Sequence, residues 1–152
     1  DVSFEAMPQK YADLYRDYAY DIANFLIQNG SGLLSSDPSK DSMYVKVFNR
    51  IQMLWQLLSS KEVNLFGTGK LGQMTGMILL GLGIQFTKFF DNNPELWGKE
   101  VLEKPICSPN KIDGINKDNV IILIASIYYK EISSQLSNMG LVEDRHYFRI
   151  FP

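Results

Sequence analysis

Residues 63–93 read VNLFGTGKLGQMTGMILLGLGIQFTKFFDNN, and this stretch decides the fold class. An apolar run from Val63 to Phe66 leads directly into Gly67, Gly69 and Gly72, spaced as GxGxxG, and a helix-like segment follows. A second apolar run, Ile84 to Phe90, ends at Asp91. Strand, glycine turn, helix, strand and acid in this order predict the opening unit of a dinucleotide-binding fold. Gly67 is expected to allow the tight turn, Gly69 to let a phosphate approach the backbone, and Gly72 to let the helix pack closely on the strand. The N–H groups and positive dipole end of the helix would then face a pyrophosphate. Asp91 stands about 20 residues beyond Gly72, where an acid at a strand tip bonds ribose hydroxyls. It would repel a ribose phosphate and so favour NAD over NADP, a preference that Lys70 in the turn slightly weakens.

Other phosphate motifs fit less well. A P-loop needs GxxxxGK followed by Ser or Thr, whereas Gly69-Lys70 is followed by Leu71. A methyltransferase turn carries an acid just before its glycines, where this chain has Leu65 and Phe66.

Downstream, the breakers Pro94, Gly98, Pro105 and Pro109 predict turns and short extended pieces. Val120 to Ala125 is a continuous apolar run of the kind buried on both faces of a sheet. A helix is expected over about Tyr129 to Met139 and a last strand near Tyr147 to Phe151. The whole predicts an α/β fold: an abbreviated Rossmann-like parallel sheet with helices on both faces. Upstream, Tyr11 to Gln28 and Pro38 to about Leu58 show helical spacing of apolar residues. The expected division is therefore a two-helix N-terminal extension, residues 1–60, and a Rossmann-like nucleotide-binding domain, residues 61–152. The stripe Tyr15, Tyr18, Ile22, Phe25, Phe48, Leu54 and Trp55 is larger than a small sheet needs as cover, so it is expected to form a homodimer surface, with packing on the sheet as the alternative.

The chain has 152 residues, 45% of them apolar and 21% charged, with a net charge of −2. That profile suits one globular domain and gives no electrostatic reason to expect nucleic acid as partner. One cysteine, Cys107, and one histidine, His146, make a zinc site improbable on composition, and no metal is expected. With no signal-peptide pattern and no apolar run long enough to span a bilayer, a soluble, cytoplasmic setting without membrane insertion is expected.

From Val63 to Phe148 the sequence resembles small Rossmann-like modules of bacterial surface-polysaccharide proteins. The resemblance is carried by FGTGKLG, FFDNNPELWGK, EKPICSP, IILIAS at Ile121 to Ser126, YYKEISSQLSNMG and the closing HYF. Such modules stand at the front of nucleoside-diphosphate-sugar epimerases and dehydratases and of sugar acetyltransferases, or beside glycosyltransferase or methyltransferase domains. The resemblance implies a module for NAD or a nucleotide-sugar in cell-envelope carbohydrate assembly, fused to or partnered with such a domain. Carried over by position, Gly67, Thr68, Gly69, Lys70 and Leu71 form the phosphate-facing turn. Asp91 and Asn92 hold the ribose-facing strand tip, and Ala125 and Ser126 the tip of the third strand.

Each assignment has a plainer competitor. The glycines could serve the turn alone. Asp91 could belong to the turn chemistry of DNNP. Ser126 is expected mainly to cap the following helix. Trp97 reads as a packing anchor, Cys107 as buried or inert, and His146 as a surface or sheet-edge residue. No Tyr-x-x-x-Lys pair exists, so no catalytic base can be assigned. The rival to a nucleotide-binding module is a non-catalytic interaction module that keeps the fold without a dinucleotide. A small reductase or epimerase would need a catalytic residue from the helices.

Overall fold

The computed structural model describes residues 42–150. Two helices open it, α1 (Ser42–Met53) and α2 (Trp55–Ser60), followed by β1 (Glu62–Phe66), α3 (Lys70–Gly81) and β2 (Lys88–Phe90). Then come the hairpin β3 (Glu100–Val101) and β4 (Lys104–Cys107), β5 (Val120–Ile124), α4 (Tyr129–Asn138) and β6 (Tyr147–Arg149). The six strands form one sheet in the order β3-β4-β2-β1-β5-β6. All neighbours are parallel except the β3–β4 hairpin. The chain winds outward from β1 through β2 to β4, then returns to the other side of β1 for β5 and β6. The strand order therefore reverses between β1 and β5, and at such a switch point the loops leaving the two strands part and open a crevice.

Alternation along the strands sorts the core into two layers. Val63, Leu65, Phe89, Ile121, Leu123 and Phe148 face one side, where α3 packs with Leu71, Met74, Ile78 and Leu79. Phe66, Phe90, Ile122, Ile124 and Tyr147 face the other, where α4 contributes Ile132 and Leu136. Helices on both faces explain why every residue of β5 is buried. The fold is the expected α/β Rossmann-like sheet.

The described part of the N-terminal extension belongs to the first layer. Val47, Phe48, Ile51, Leu54, Leu57 and Leu58 are buried there, and Trp55 packs against its edge. The expected self-association stripe is thus corrected at Phe48 and Leu54, which close the protein's own core instead of facing a second copy. Tyr15, Tyr18, Ile22, Phe25 and the whole helix expected over Tyr11 to Gln28 lie outside the described residues, as does Pro38. The helix expected to run to Leu58 breaks at Leu54, whose N–H is shared between the carbonyls of Arg50 (3.1 Å) and Ile51 (3.2 Å).

Two strand expectations are also corrected. The second strand does not begin at Ile84: only Lys88–Phe90 pairs with β1 as strand. Ile84 and Phe86 are buried beneath α3, and the Ile84 N–H closes that helix on the Leu79 carbonyl at 2.9 Å. The last strand ends at Arg149.

The β3–β4 hairpin turns on Leu102 and Glu103, both non-glycine residues at positive φ (52° and 62°). A two-residue turn of this kind suits Asn-Gly, and side-chain residues there are strained. Leu102 offsets its share by packing against the first core layer and over Gly76 of α3. Glu103 is exposed and gains no such contact. We therefore expect Glu103→Gly to raise stability by a few tenths to about 1 kcal/mol. A urea midpoint unchanged or lowered in that variant would contradict the strained turn.

Candidate functional site

The turn after β1 is locked from three sides. Gly67 has φ +118°, and its N–H donates to the Phe90 carbonyl at 2.9 Å. A Cβ on Gly67 would sit 2.5 Å from the Ala125 carbonyl oxygen, and one on Gly72 would run into the Gly67 carbonyl. The Ala125 N–H donates to the Phe66 carbonyl at 2.9 Å, tying β5 to the same turn. Gln73, not singled out from the sequence, donates its side-chain amide to the Thr68 carbonyl at 3.0 Å. Gly69 differs from its two partners. It sits at φ −75°, ψ −163° just before α3, a conformation open to any residue, and a Cβ there would meet nothing within 4 Å.

Across the turn, Asp91 is organised by its neighbours. Its Oδ2 accepts the Thr68 hydroxyl at 2.7 Å, and its Oδ1 accepts the Asn93 N–H at 2.9 Å. The turn role of Asp91 is therefore real. A carboxylate has about four lone-pair directions, so two bonds leave capacity for ligand hydroxyls. Trp97 does more than pack: its indole N–H donates to the Asp91 carbonyl at 2.7 Å and pins the strand tip. Asn92 exchanges two amide hydrogen bonds with Gln135 of α4, each 2.9 Å. Its amide thus ties the β2 tip to α4 instead of reaching toward a ribose.

On the β5 side, Ser126 does not cap α4. Its hydroxyl accepts the Tyr128 N–H at 3.0 Å and fixes the turn ahead of the helix, whose N-cap residue is Tyr128 and makes no side-chain capping bond.

These pieces enclose one cavity of about 660 Å³ at the carboxyl ends of β1, β2 and β5. Sites for small molecules span about 300–1,000 Å³ and favour such switch points. Gly67, Thr68, Gly69, Lys70, Leu71, Asp91, Asn92, Ala125 and Ser126 all line it. Gly72 does not, because it faces the Gly67 carbonyl as a packing residue. Phe66, Ile127, Tyr128, Glu131 and Ile132 also line the cavity and were missed in the sequence. Ile127 and Tyr128 directly follow the expected Ala125-Ser126, and that adjacency was the available signal.

His146 lies outside this cavity and is buried beside β6, not on the surface. Its Nδ1 accepts the Val142 N–H at 2.8 Å, which puts the proton of the neutral ring on Nε2, 3.1 Å from Asp118 Oδ1. Both ring nitrogens are then engaged, and no lone pair remains for general base work. Asp118 answers with a carboxyl held below its ordinary range, by the His146 hydrogen bond first and the Arg145 charge second. Among the described residues no helix is long and apolar enough to cross a membrane.

A family model described as C2185-like, N-terminal matches residues 59–147. No curated protein matches the chain. Among solved structures, RSP, a Rex-family repressor, is similar at 14% identity and a TM-score of 0.47, covering 95% of this chain and 87% of that one. RSP with β-NADH gives the same values. RSP with β-NAD+ and operator DNA gives 14% identity, a TM-score of 0.46, and 95% and 79% coverage. At these scores the likeness is loose, and the fold rests on the strand order given above. The expectation that nucleic acid takes no part is withdrawn, because one of these similar structures is a repressor bound to operator DNA. A net charge of −2 was never a physical bar to a local DNA contact.

Proposed function

The chain belongs to the C2185-like, N-terminal family, and within that family's span we propose a binding module for a nucleotide-type ligand, with NAD ahead of a nucleotide-sugar. Gly69 carries this reading. Gly67 and Gly72 are required by the fold, since a side chain on either would strike a backbone carbonyl. Gly69 is required by neither backbone conformation nor packing. A ligand phosphate approaching the first turn of α3 supplies the missing reason, where the helix dipole and N–H groups favour an anion. The rival interaction module explains two glycines by packing and leaves the third to the mild preference for glycine at a helix N-cap, which many polar residues would satisfy as well.

In this reading, Gly67 to Leu71 cradle the phosphates and Asp91 accepts ribose hydroxyls. Ala125 and Ser126 border the third wall. No residue of the cavity forms an evident acid–base pair, so the module binds and presents its ligand, and chemistry belongs to a partner or fused domain. The bacterial surface-polysaccharide setting and the cytoplasmic location extend this proposal; the first rests on the motif resemblance, the second on a single cysteine, which allows no internal disulfide and suits a reducing compartment. The division into a helical extension over 1–60 and a nucleotide-binding domain over 61–152 is likewise proposed, with the extension serving as cover for one sheet face.

Calorimetric titration with NAD, NADP and UDP-glucose tests the proposal. NAD should bind more tightly than NADP by about tenfold, because the Asp91 carboxylate repels a 2′-phosphate. Asp91→Asn should narrow that gap to about twofold while retaining the Asn93 and Thr68 contacts. Equal wild-type affinity for NAD and NADP would remove the role given to Asp91.

A further inference from the structure

The wall of the cavity opposite Asp91 has no role in the reading above, on which the following inference rests. It is built from Ile127, Tyr128, Glu131 and Ile132, beside Ser126. Five large apolar side chains are exposed among the described residues, and only Ile127 and Tyr128 line this cavity. They are consecutive, 70% and 64% exposed, and stand at the rim. Leaving two such side chains in water forgoes free energy that a covering ligand would recover.

The rim is also held in place. The Tyr128 N–H donates to Ser126 Oγ at 3.0 Å, and the Ile132 N–H to the Tyr128 carbonyl at 3.1 Å. Beneath it, Ile132 and Leu136 are buried in the second core layer. The exposed pair is therefore carried on a fixed base, and presents an aromatic ring and a branched aliphatic surface side by side.

We infer that this wall receives a flat heteroaromatic ring, so that the ligand is a dinucleotide with a second ring beyond its phosphates. A hexose carries hydroxyls around its ring and needs several converging donors and acceptors. The wall supplies polar side-chain groups at Ser126, Glu131 and the Tyr128 hydroxyl only, and the Ser126 oxygen already accepts a backbone N–H. A flat ring needs an apolar face with polar groups at its edge, and stacking on tyrosine provides that. Tyr128 is then a specificity-determining residue that separates dinucleotides from nucleotide-sugars.

Titration of the full chain with ADP, ADP-ribose, NAD and UDP-glucose tests the assignment. ADP-ribose carries a hydroxyl where NAD carries the cationic nicotinamide ring, so their affinity ratio, compared between the wild type and Tyr128→Ala, isolates the contact. The expected wild-type result is NAD about tenfold tighter than ADP-ribose, within the range of one aromatic stacking contact. Tyr128→Ala should collapse the ratio toward one, and Tyr128→Phe should retain it. Binding of ADP with no gap between NAD and ADP-ribose, UDP-glucose binding more tightly than NAD, or a gap that survives in Tyr128→Ala would each overturn this inference alone. No binding by any of the four probes would overturn the nucleotide reading and this inference with it.

Discussion

Gly72→Ala should cost about 3 kcal/mol or more, a large fraction of the stability of a small domain. The cause is backbone against backbone. The added Cβ would fall on the Gly67 carbonyl, with the Ala125 carbonyl 3.7 Å away, and no side chain can rotate aside to make room. Relief would require α3 to lift off the turn, which would uncover Leu71, Met74 and Ile78 in the first core layer. The same turn is bound to β2 through the Gly67 N–H and flanked by β5 through Ala125, so a local shift spreads across three strands. Urea denaturation followed by tryptophan fluorescence measures the loss. A midpoint equal to that of the wild type would mean that the helix and turn are not interlocked as described.

Gly69→Val should do the reverse. Stability should fall by no more than about 1 kcal/mol, the cost of losing a favourable residue at the start of a helix. The backbone there is already extended, and the branched side chain enters open space. That space is the cavity through which a phosphate would reach α3, so ligand affinity should drop by about 100-fold, or close to 3 kcal/mol. The pair of substitutions separates two roles within one motif: Gly72 holds the fold and Gly69 admits the ligand. A Gly69→Val protein that binds as tightly as the wild type would place the ligand elsewhere.

The central unit was legible because its signals are local. A mostly apolar run from Val63 to Phe66, three glycines at fixed spacing and a placed acid all lie within 63–93, and β1, α3 and the tip of β2 formed where those signals stand. The start of β2 was misread because burial and strand pairing look alike in sequence. Ile84 and Phe86 are apolar for packing under α3, and the chain joins β1 as a strand only from Lys88. The excursion holds the expected short extended pieces, β3 and β4, but their place in the sheet was not legible, since nothing around Lys104-Pro105 marks that Ile106 and Cys107 pair with Phe89 and Phe90.

The site was half legible for the same reason. Glycines and Asp91 announce themselves through backbone and charge requirements that a short window contains. The amide pair of Asn92 with Gln135 links residues from two elements, and no periodicity marks it. The Thr68–Asp91 and Trp97–Asp91 bonds are likewise products of the folded geometry. Ile127 and Tyr128 escaped notice because an exposed apolar pair looks like core in a sequence and shows its exposure only once β5 and α4 are placed.

The most direct test of a ligand at the glycine turn is an amide chemical-shift titration of the full chain with NAD. The account predicts the largest shifts at the amides of Gly67, Thr68, Gly69, Lys70 and Leu71, with smaller ones at Asp91 and Ser126. No shifts up to millimolar NAD, or shifts confined to residues away from the carboxyl ends of β1, β2 and β5, would contradict it.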